Sequence, residues 1–121
     1  MNRSSVGGAA LRAKAFRAMV LCAASAIASF TADAASTATV DITKFMFAPM
    51  ELTVAPGTTV RWVNHDQTPH TVASKGDTKV FASKAMDTDD QFEFVFTKEG
   101  DYTYVCSVHP FMAGVVHVRN P

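Results

Sequence analysis

Apolar and polar residues alternate along most of the chain after residue 36, and this pattern predicts strands rather than helices. In "ATVDITKF", Val40 and Ile42 lie on one face, which is the period-two pattern of a half-buried strand. "QFEFVFT" places three phenylalanines on one face, and "YTYVC" places two tyrosines and Cys106 on one face. The last apolar run, "GVVHVR", predicts a strand at the end of the chain.

Turn residues separate these runs. "MELTVAPGTTVRWVN" reads as strand, turn and strand, because Pro56 and Gly57 interrupt two β-rich stretches. The polar segment 74–90 is irregular, and we expect one short turn of helix around "SKAM" within it. Short strands at close spacing, with turn residues between them, are typical of an all-β sandwich or barrel. No repeat or linker divides the chain after residue 36, so we expect one domain.

The first 35 residues differ in kind from the rest. An apolar run, "AMVLCAASAIASF", is followed by an Ala-x-Ala step and preceded by four cations, Arg3, Arg12, Lys14 and Arg17. This combination predicts a secretory signal peptide over 1–35, cleaved after Ala34 or Ala35, and a mature domain over 36–121. The apolar run of 13 residues falls short of the roughly 20 that a spanning helix needs, so we expect export to the periplasm without a membrane anchor.

Cleavage of the predicted signal peptide changes the charge and the cysteine content. The mature chain keeps seven lysines and arginines and ten carboxylates, a formal net charge of −3. Nucleic-acid binding depends on basic patches, so a nucleic-acid partner is not expected. Cys106 is then the one cysteine left, in a compartment where thiols usually pair. An unpaired exported cysteine is an accident, an intermolecular link or a protected ligand.

Three soft donors follow one another near the end of the chain, where "CSVHPFM" contains Cys106, His109 and Met112. On an extended strand these six steps would cover about 20 Å, so one ion would not reach both ends. A helix is disfavoured because Pro110 would interrupt it. The three side chains converge only in a tight loop, which Pro110 and Gly114 suit.

The donor types indicate copper. Thiolate and thioether are soft ligands that favour copper over calcium or magnesium, and structural zinc takes four Cys or His ligands without thioether. One cysteine, two histidines and a weak axial methionine form the blue-copper ligand set. The loop supplies one histidine, so a second must come from His65, His70 or His117. The pattern alone does not choose between His65 and His70, whereas His117 alternates with buried-type valines on the last strand.

Two long stretches resemble a cupredoxin, the type 1 blue copper family: "FMFAPMELTVAPGTTVRWVNHDQTPHTV" and "GDYTYVCSVHPFMAGVVHV". The short ligand loop is most similar to that of the amicyanins, since plastocyanin and pseudoazurin have longer loops. The resemblance implies a Greek-key β-sandwich of about seven to eight strands with one type 1 copper at one end. It implies equatorial ligands His70, Cys106 and His109, axial Met112, and Asn64 as a residue that braces the ligand loops.

The resemblance also implies a function. We expect a monomeric one-electron carrier that alternates between Cu(I) and Cu(II) and docks briefly with redox proteins, a dehydrogenase or a cytochrome c. The alternative is a periplasmic copper chaperone that carries or sequesters the metal with the same residues. An enzyme is not expected, because copper oxidases and nitrite reductases need further histidine clusters and this chain has only His65 and His117 to spare.

Overall fold

The computed structural model of the protein describes residues 36–76 and 79–121. The predicted signal peptide, 1–35, lies outside the described residues. Within the described residues, no helix has the length and apolar character needed to cross a membrane.

Across residues 36–76 and 79–121, eight strands form two four-stranded sheets, which confirms the predicted all-β, cupredoxin-like sandwich. One sheet has the order β2-β1-β4-β6 and the other has the order β3-β8-β7-β5. β1 runs parallel to β4, and β3 runs parallel to β8, whereas the other paired strands are antiparallel. The strand bounds are β1 Thr37–Thr43, β2 Met46–Ala48, β3 Glu51–Val54, β4 Thr58–Asn64, β5 Ala73–Ser74, β6 Gln91–Phe96, β7 Gly100–Val105 and β8 Ala113–Val118.

The core lies between the inner faces of the two sheets, because alternate residues of each strand point inward. Trp62 of β4 is fully buried and meets Tyr104 of β7 edge-on, with ring centroids 5.3 Å apart. The same indole stacks on Phe81, in the segment between β5 and β6, at 5.6 Å. These aromatic contacts join the two sheets just below the end of the sandwich that contains the soft donors.

The expected helical turn at "SKAM" is wrong. The backbone of Met86 forms a two-way bridge with His70, in which each N–H donates to the carbonyl of the other at 3.1 and 2.8 Å. Ser83 N–H likewise donates to the carbonyl of Val72. The segment is extended because its hydrogen bonds run to the strand-like stretch before β5, and tertiary pairing overrides the local helix propensity.

The ends of β4 and β7 position the site. β4 ends at Asn64, which continues the inward-facing row of the strand and is fully buried. β7 ends at Val105, and β8 begins at Ala113, its partner across the ladder. This pairing brings the two ends of the intervening loop, residues 106–112, close together.

Candidate metal centre

The loop between β7 and β8 has the tight form that the donor spacing predicts. Cys106 N–H donates to the carbonyl of Met112 at 3.1 Å, and Met112 N–H donates to the carbonyl of His109 at 2.9 Å. These bonds bring the first and last residues of the loop together and leave His109 at its tip. Cys106 and Met112 are buried, and His109 is half-buried.

His70 approaches this loop from the segment that follows β4. Its backbone is held by the bridge to Met86, and its side chain is fully buried. Its Nδ1 faces the sulfur of Cys106 at 3.8 Å. His70 lies between β4 of the first sheet and β5 of the second, and Cys106 directly follows β7, so two separate loops bring these donors together.

His70, Cys106 and His109 form a tripod of donors whose ligand atoms all lie within 4.8 Å of one another. The Cys106 sulfur lies 3.8 Å from Nδ1 of each imidazole. Metal bonds of about 2.0 Å to nitrogen and about 2.3 Å to sulfur, as zinc forms, would give about 3.8 Å in a near-trigonal arrangement. The geometry therefore fits one metal ion between the three side chains, and the donor set is that of type 1 copper.

The thiol of Cys106 is disposed to ionise. Burial alone would raise its pKa, but the Thr71 N–H, the His70 side chain and the backbone and side chain of His109, all close to the sulfur, outweigh burial. Together they lower the pKa of Cys106 to about 6. The Thr71 N–H lies 3.4 Å from the sulfur. A thiolate is the form of cysteine that binds metal.

Asp66 fixes the orientation of the His70 ring. Its Oδ2 accepts a hydrogen bond from His70 Nε2 at 2.8 Å. Burial would raise the pKa of the Asp66 carboxyl, but hydrogen bonds from Phe45 N–H, His70 and Lys44 N–H outweigh it and lower the pKa below its ordinary value. An ionised carboxylate only accepts, so Nε2 carries the proton and the lone pair of Nδ1 faces the sulfur.

Asn64 braces the loop that carries His70, as the resemblance implies. Its Nδ2 donates to the carbonyls of Thr68 and Met86 at 3.0 and 2.9 Å. Its Oδ1 accepts from Asp66 N–H at 3.0 Å. The side chain thus joins three backbone points around His70, and these bonds fix the donor atom with respect to the core.

Of the remaining predicted residues, one lies beside the tripod and two lie elsewhere. Met112 belongs to the same buried cluster as Cys106, next to the tripod. His65 is exposed and pairs with Asp41 at 2.9 Å, outside the tripod. His117 pairs with Asp101 at 2.7 Å on the outer side of β8 and β7. The structure therefore brings His70, and neither of the other two histidines, to Cys106 and His109.

Phe45 and Asp66 contact the tripod, and neither was predicted from the sequence. Phe45, at the β1–β2 tip, meets His70 and His109 edge-on, with centroids 5.2 and 5.1 Å away. Asp66 bonds to His70, and its position four residues before that histidine is the one feature of the sequence that could have indicated this contact. Neither contact follows from strand periodicity, because both depend on how two loops fold back over the end of the sandwich.

Comparison with known sequences gives the family. The profile of copper-binding proteins of the plastocyanin/azurin family matches residues 34–119. An amicyanin from Paracoccus versutus is 38% identical over 84 residues, which cover 66% of this chain and 63% of the relative's length. Amicyanin-alpha from Methylorubrum extorquens is 32% identical over 108 residues, which cover 87% of this chain and 91% of that protein.

Comparison with solved structures agrees with the sequence match. A purple cupredoxin from Nitrosopumilus maritimus superposes with a TM-score of 0.63 at 35% identity, covering 68% of this chain and all but 1% of the other. The family match includes all eight strands and the tripod with Met112 beside it. The site is consistent with one type 1 copper. This chain belongs to the copper-binding plastocyanin/azurin family.

Proposed function

We propose that this protein is an exported one-electron carrier whose copper ion is bound by His70, Cys106 and His109, with Met112 as the weak axial ligand. The observation that carries the proposal is the tripod of one sulfur and two imidazole nitrogens within 4.8 Å of one another. When bound, copper supplies a single-electron couple between Cu(I) and Cu(II). The surrounding residues keep the ligand side chains in place and keep water away from them. One ligand side chain provides the path of the electron to a redox partner.

The surroundings of the tripod favour rapid electron exchange with little rearrangement. Cys106 and His70 are fully buried, and Met112 is nearly so, so water has little access to these donors. The hydrogen bonds of Asn64 and Asp66 hold His70 in one orientation. A fixed ligand set limits the change in geometry between the two oxidation states, which lowers the barrier to transfer.

His109 is the proposed exit for the electron. It is half-buried, whereas the other two tripod residues are buried. Apolar side chains surround this end of the molecule and are exposed to different extents: Phe111 72%, Val108 56%, Met50 55%, Met46 53% and Phe45 40%. An apolar surface around an exposed ligand edge suits brief docking with a dehydrogenase or a cytochrome c, since electron-transfer interfaces are often smaller than about 1,200 Å².

The same proposal places the protein in the periplasm as a monomer. The basic and apolar character of residues 1–35 supports export. Cys106, the one cysteine of the predicted mature chain, is buried, which disfavours an intermolecular disulfide. Enzymatic turnover is not part of the proposal. Among residues 36–76 and 79–121, the tripod is the one group of three or more His, Cys, Asp or Glu able to hold a metal.

Copper delivery is a second candidate, and one observation favours it. The exposed thioethers of Met46 and Met50 line the same surface depression as Phe111 and Met112. Thioethers bind Cu(I), so this depression offers donors through which copper would enter or leave. Met86 does not take part, because it is buried and its backbone is bonded to His70.

Loading the purified protein with one equivalent of Cu(II) tests the proposal. We expect an intense visible absorption band from the thiolate–copper bond and a reversible voltammetric wave that survives many cycles in the presence of a Cu(I) chelator. Rapid loss of copper to the chelator on reduction, slowed by Met46→Leu and Met50→Leu, would favour delivery. A folded protein that takes up copper without the visible band would contradict both candidates.

A further inference from the structure

The tip of the β1–β2 hairpin has an unusual backbone. Lys44 and Phe45 have φ values of +52° and +57°, a left-handed conformation that residues with a side chain seldom adopt. Two-residue hairpin turns of this kind ordinarily use Asn or Gly. Something outside the hairpin must therefore stabilise this turn.

The carboxylate of Asp66 provides that stabilisation. Its Oδ1 accepts from Lys44 N–H at 2.7 Å, and its Oδ2 accepts from Phe45 N–H at 2.9 Å. Both are charge-assisted hydrogen bonds, which are stronger than neutral ones. Asp66 is itself held in place, because its N–H is bonded to Asn64 and its carbonyl accepts from the Thr88 hydroxyl at 2.7 Å.

The same carboxylate holds His70. Oδ2 accepts from His70 Nε2 at 2.8 Å, so three donors converge on two oxygens. The side chain of Asp66 is 14% exposed, and that of His70 is fully buried. The β1–β2 turn, held by Asp66, places the Phe45 ring edge-on to both His70 and His109.

We propose that Asp66 is a positioning residue of the metal centre, which locks the β1–β2 tip and the His70 ring together so that Phe45 stays over both imidazoles. This inference rests on the proposed ligation of copper by His70. It assigns the hairpin tip a role in the metal site, whereas a turn-stabilising carboxylate alone would leave the properties of bound copper unchanged.

Asp66→Asn is the informative change. An amide offers one oxygen and one NH₂ group, so at least one of the three converging donors would face another donor. The substitution also removes a negative charge beside a ligand, and a carboxylate there favours Cu(II) over Cu(I). Asp41→Asn is the matched control, because Asp41 also pairs with a histidine, His65, which is exposed and outside the tripod.

Two readouts separate the outcomes. In the metal-free protein, we expect faster amide hydrogen exchange at Lys44 and Phe45 in Asp66→Asn than in Asp41→Asn. In the copper-loaded protein, we expect a copper affinity lower by about tenfold to a hundredfold, as outer-shell changes usually give, and a higher midpoint potential. Faster exchange together with both copper effects would support the inference.

Two results would overturn it. One is Asp66→Asn behaving as Asp41→Asn in both readouts. The other is faster exchange with unchanged copper affinity and potential, which would make Asp66 a turn residue only. If the wild-type protein bound no copper, the proposed function would fail instead, and this outcome is distinct because it appears before any substitution.

A double variant keeps the test decisive if Asp66→Asn folds poorly. Lys44→Gly supplies a residue that adopts the left-handed conformation freely, so it stabilises the turn without the carboxylate. In Lys44→Gly with Asp66→Asn, we expect the protein to fold and the copper effects to persist, because His70 Nε2 still lacks its charged acceptor. Wild-type copper affinity and potential in a folded double variant would overturn the inference.

Discussion

His65 and His70 are five residues apart, and their environments differ completely. His70 is buried with its Nδ1 facing the Cys106 sulfur, whereas His65 is exposed beside Asp41. The difference arises at Asn64, whose three hydrogen bonds fold the intervening loop so that one imidazole points inward. Both residues are histidines, so the fold of the loop, and not the residue type, decides which imidazole reaches the proposed metal site.

This contrast gives the first prediction. His70→Ala should abolish the intense visible band of the copper-loaded protein, because the tripod loses one of its two imidazoles. His65→Ala, a change of the same kind at an exposed position, should leave the band in place. Absorption spectra of both variants at one copper per chain check this. A bleached His65 variant beside a coloured His70 variant would mean that the ligand assignment is wrong.

Gly114 is required by the ring opposite it. It pairs with Tyr104 across β7 and β8, and a Cβ atom at Gly114 would lie 2.5 Å from both Cζ and Oη of that tyrosine. Tyr104 is fully buried against Trp62 and has no room to retreat. The glycine therefore allows a large aromatic ring to lie two residues before Cys106.

We predict that Gly114→Ala lowers the free energy of unfolding by about 1–3 kcal/mol, the usual cost of overpacking a core. Denaturant unfolding of the metal-free protein measures it. In a Tyr104→Leu background the added cost should be smaller, because the clashing ring is absent. Equal costs in the two backgrounds would show that the ring is not the cause.

The residue pattern identifies part of the site. Cys106, His109 and Met112 lie within one loop, and the soft donors and the turn residues around them suffice to predict a copper-binding loop. The choice of His70 came from the family resemblance, since spacing alone left His65 open. Asp66 was not predicted, because its contacts depend on the fold of two loops.

At the level of the elements, two loops form the site and Thr71 joins them. Its hydroxyl accepts from Ser107 N–H at 2.8 Å, and its own N–H donates to the Cys106 sulfur. Thr71 follows His70, and Ser107 follows Cys106. One short side chain therefore ties the segment after β4 to the segment after β7.

Thr71→Val removes this hydroxyl with little change in volume. We predict a loss of about 0.5–1.5 kcal/mol in the free energy of unfolding of the metal-free protein, the usual net contribution of one hydrogen bond, because the exposed Ser107 N–H exchanges the hydroxyl for water. Thr71→Ser, which keeps the hydroxyl, should recover most of the loss. Urea denaturation of the three proteins measures the effect, and a valine variant as stable as the wild type would contradict it.

Strand prediction worked where alternation was long. β1, β4, β6, β7 and β8 each have six or seven residues, and period-two alternation is recognisable over that length. β2 and β5 have three and two residues and carry too little pattern. The helical turn at "SKAM" was wrong because its backbone bonds to His70 and Val72, partners that local sequence does not reveal.

For the whole molecule, the tripod joins two loops at one end of the sandwich. His70 lies on the segment that leads from β4 of the first sheet to β5 of the second, and Cys106 and His109 lie between β7 and β8 of the second. A metal that binds the folded state and not the unfolded chain stabilises the fold by mass action. Such a link matters in a domain of this size, because small domains bury a modest fraction of their surface.

We therefore predict a higher melting temperature with copper. Free copper at 100 times its dissociation constant raises the free energy of unfolding by about 2.7 kcal/mol. For a domain of this size, that corresponds to a rise of about 10–20 °C. Calorimetry with and without copper measures the rise, and Cys106→Ser should show much less of it. Equal melting temperatures for the loaded and metal-free wild type would contradict preferential binding of copper to the folded state.

The central claim is that a single copper ion is coordinated by one sulfur and two imidazole nitrogens at the end of this sandwich. X-ray absorption spectroscopy of the copper-loaded protein tests it most directly, because it counts the ligand atoms at short distance from the metal. We predict one short copper–sulfur bond and two copper–nitrogen bonds, with the sulfur contribution lost in Cys106→Ser. Copper surrounded by oxygen and nitrogen alone in the wild type would contradict the account.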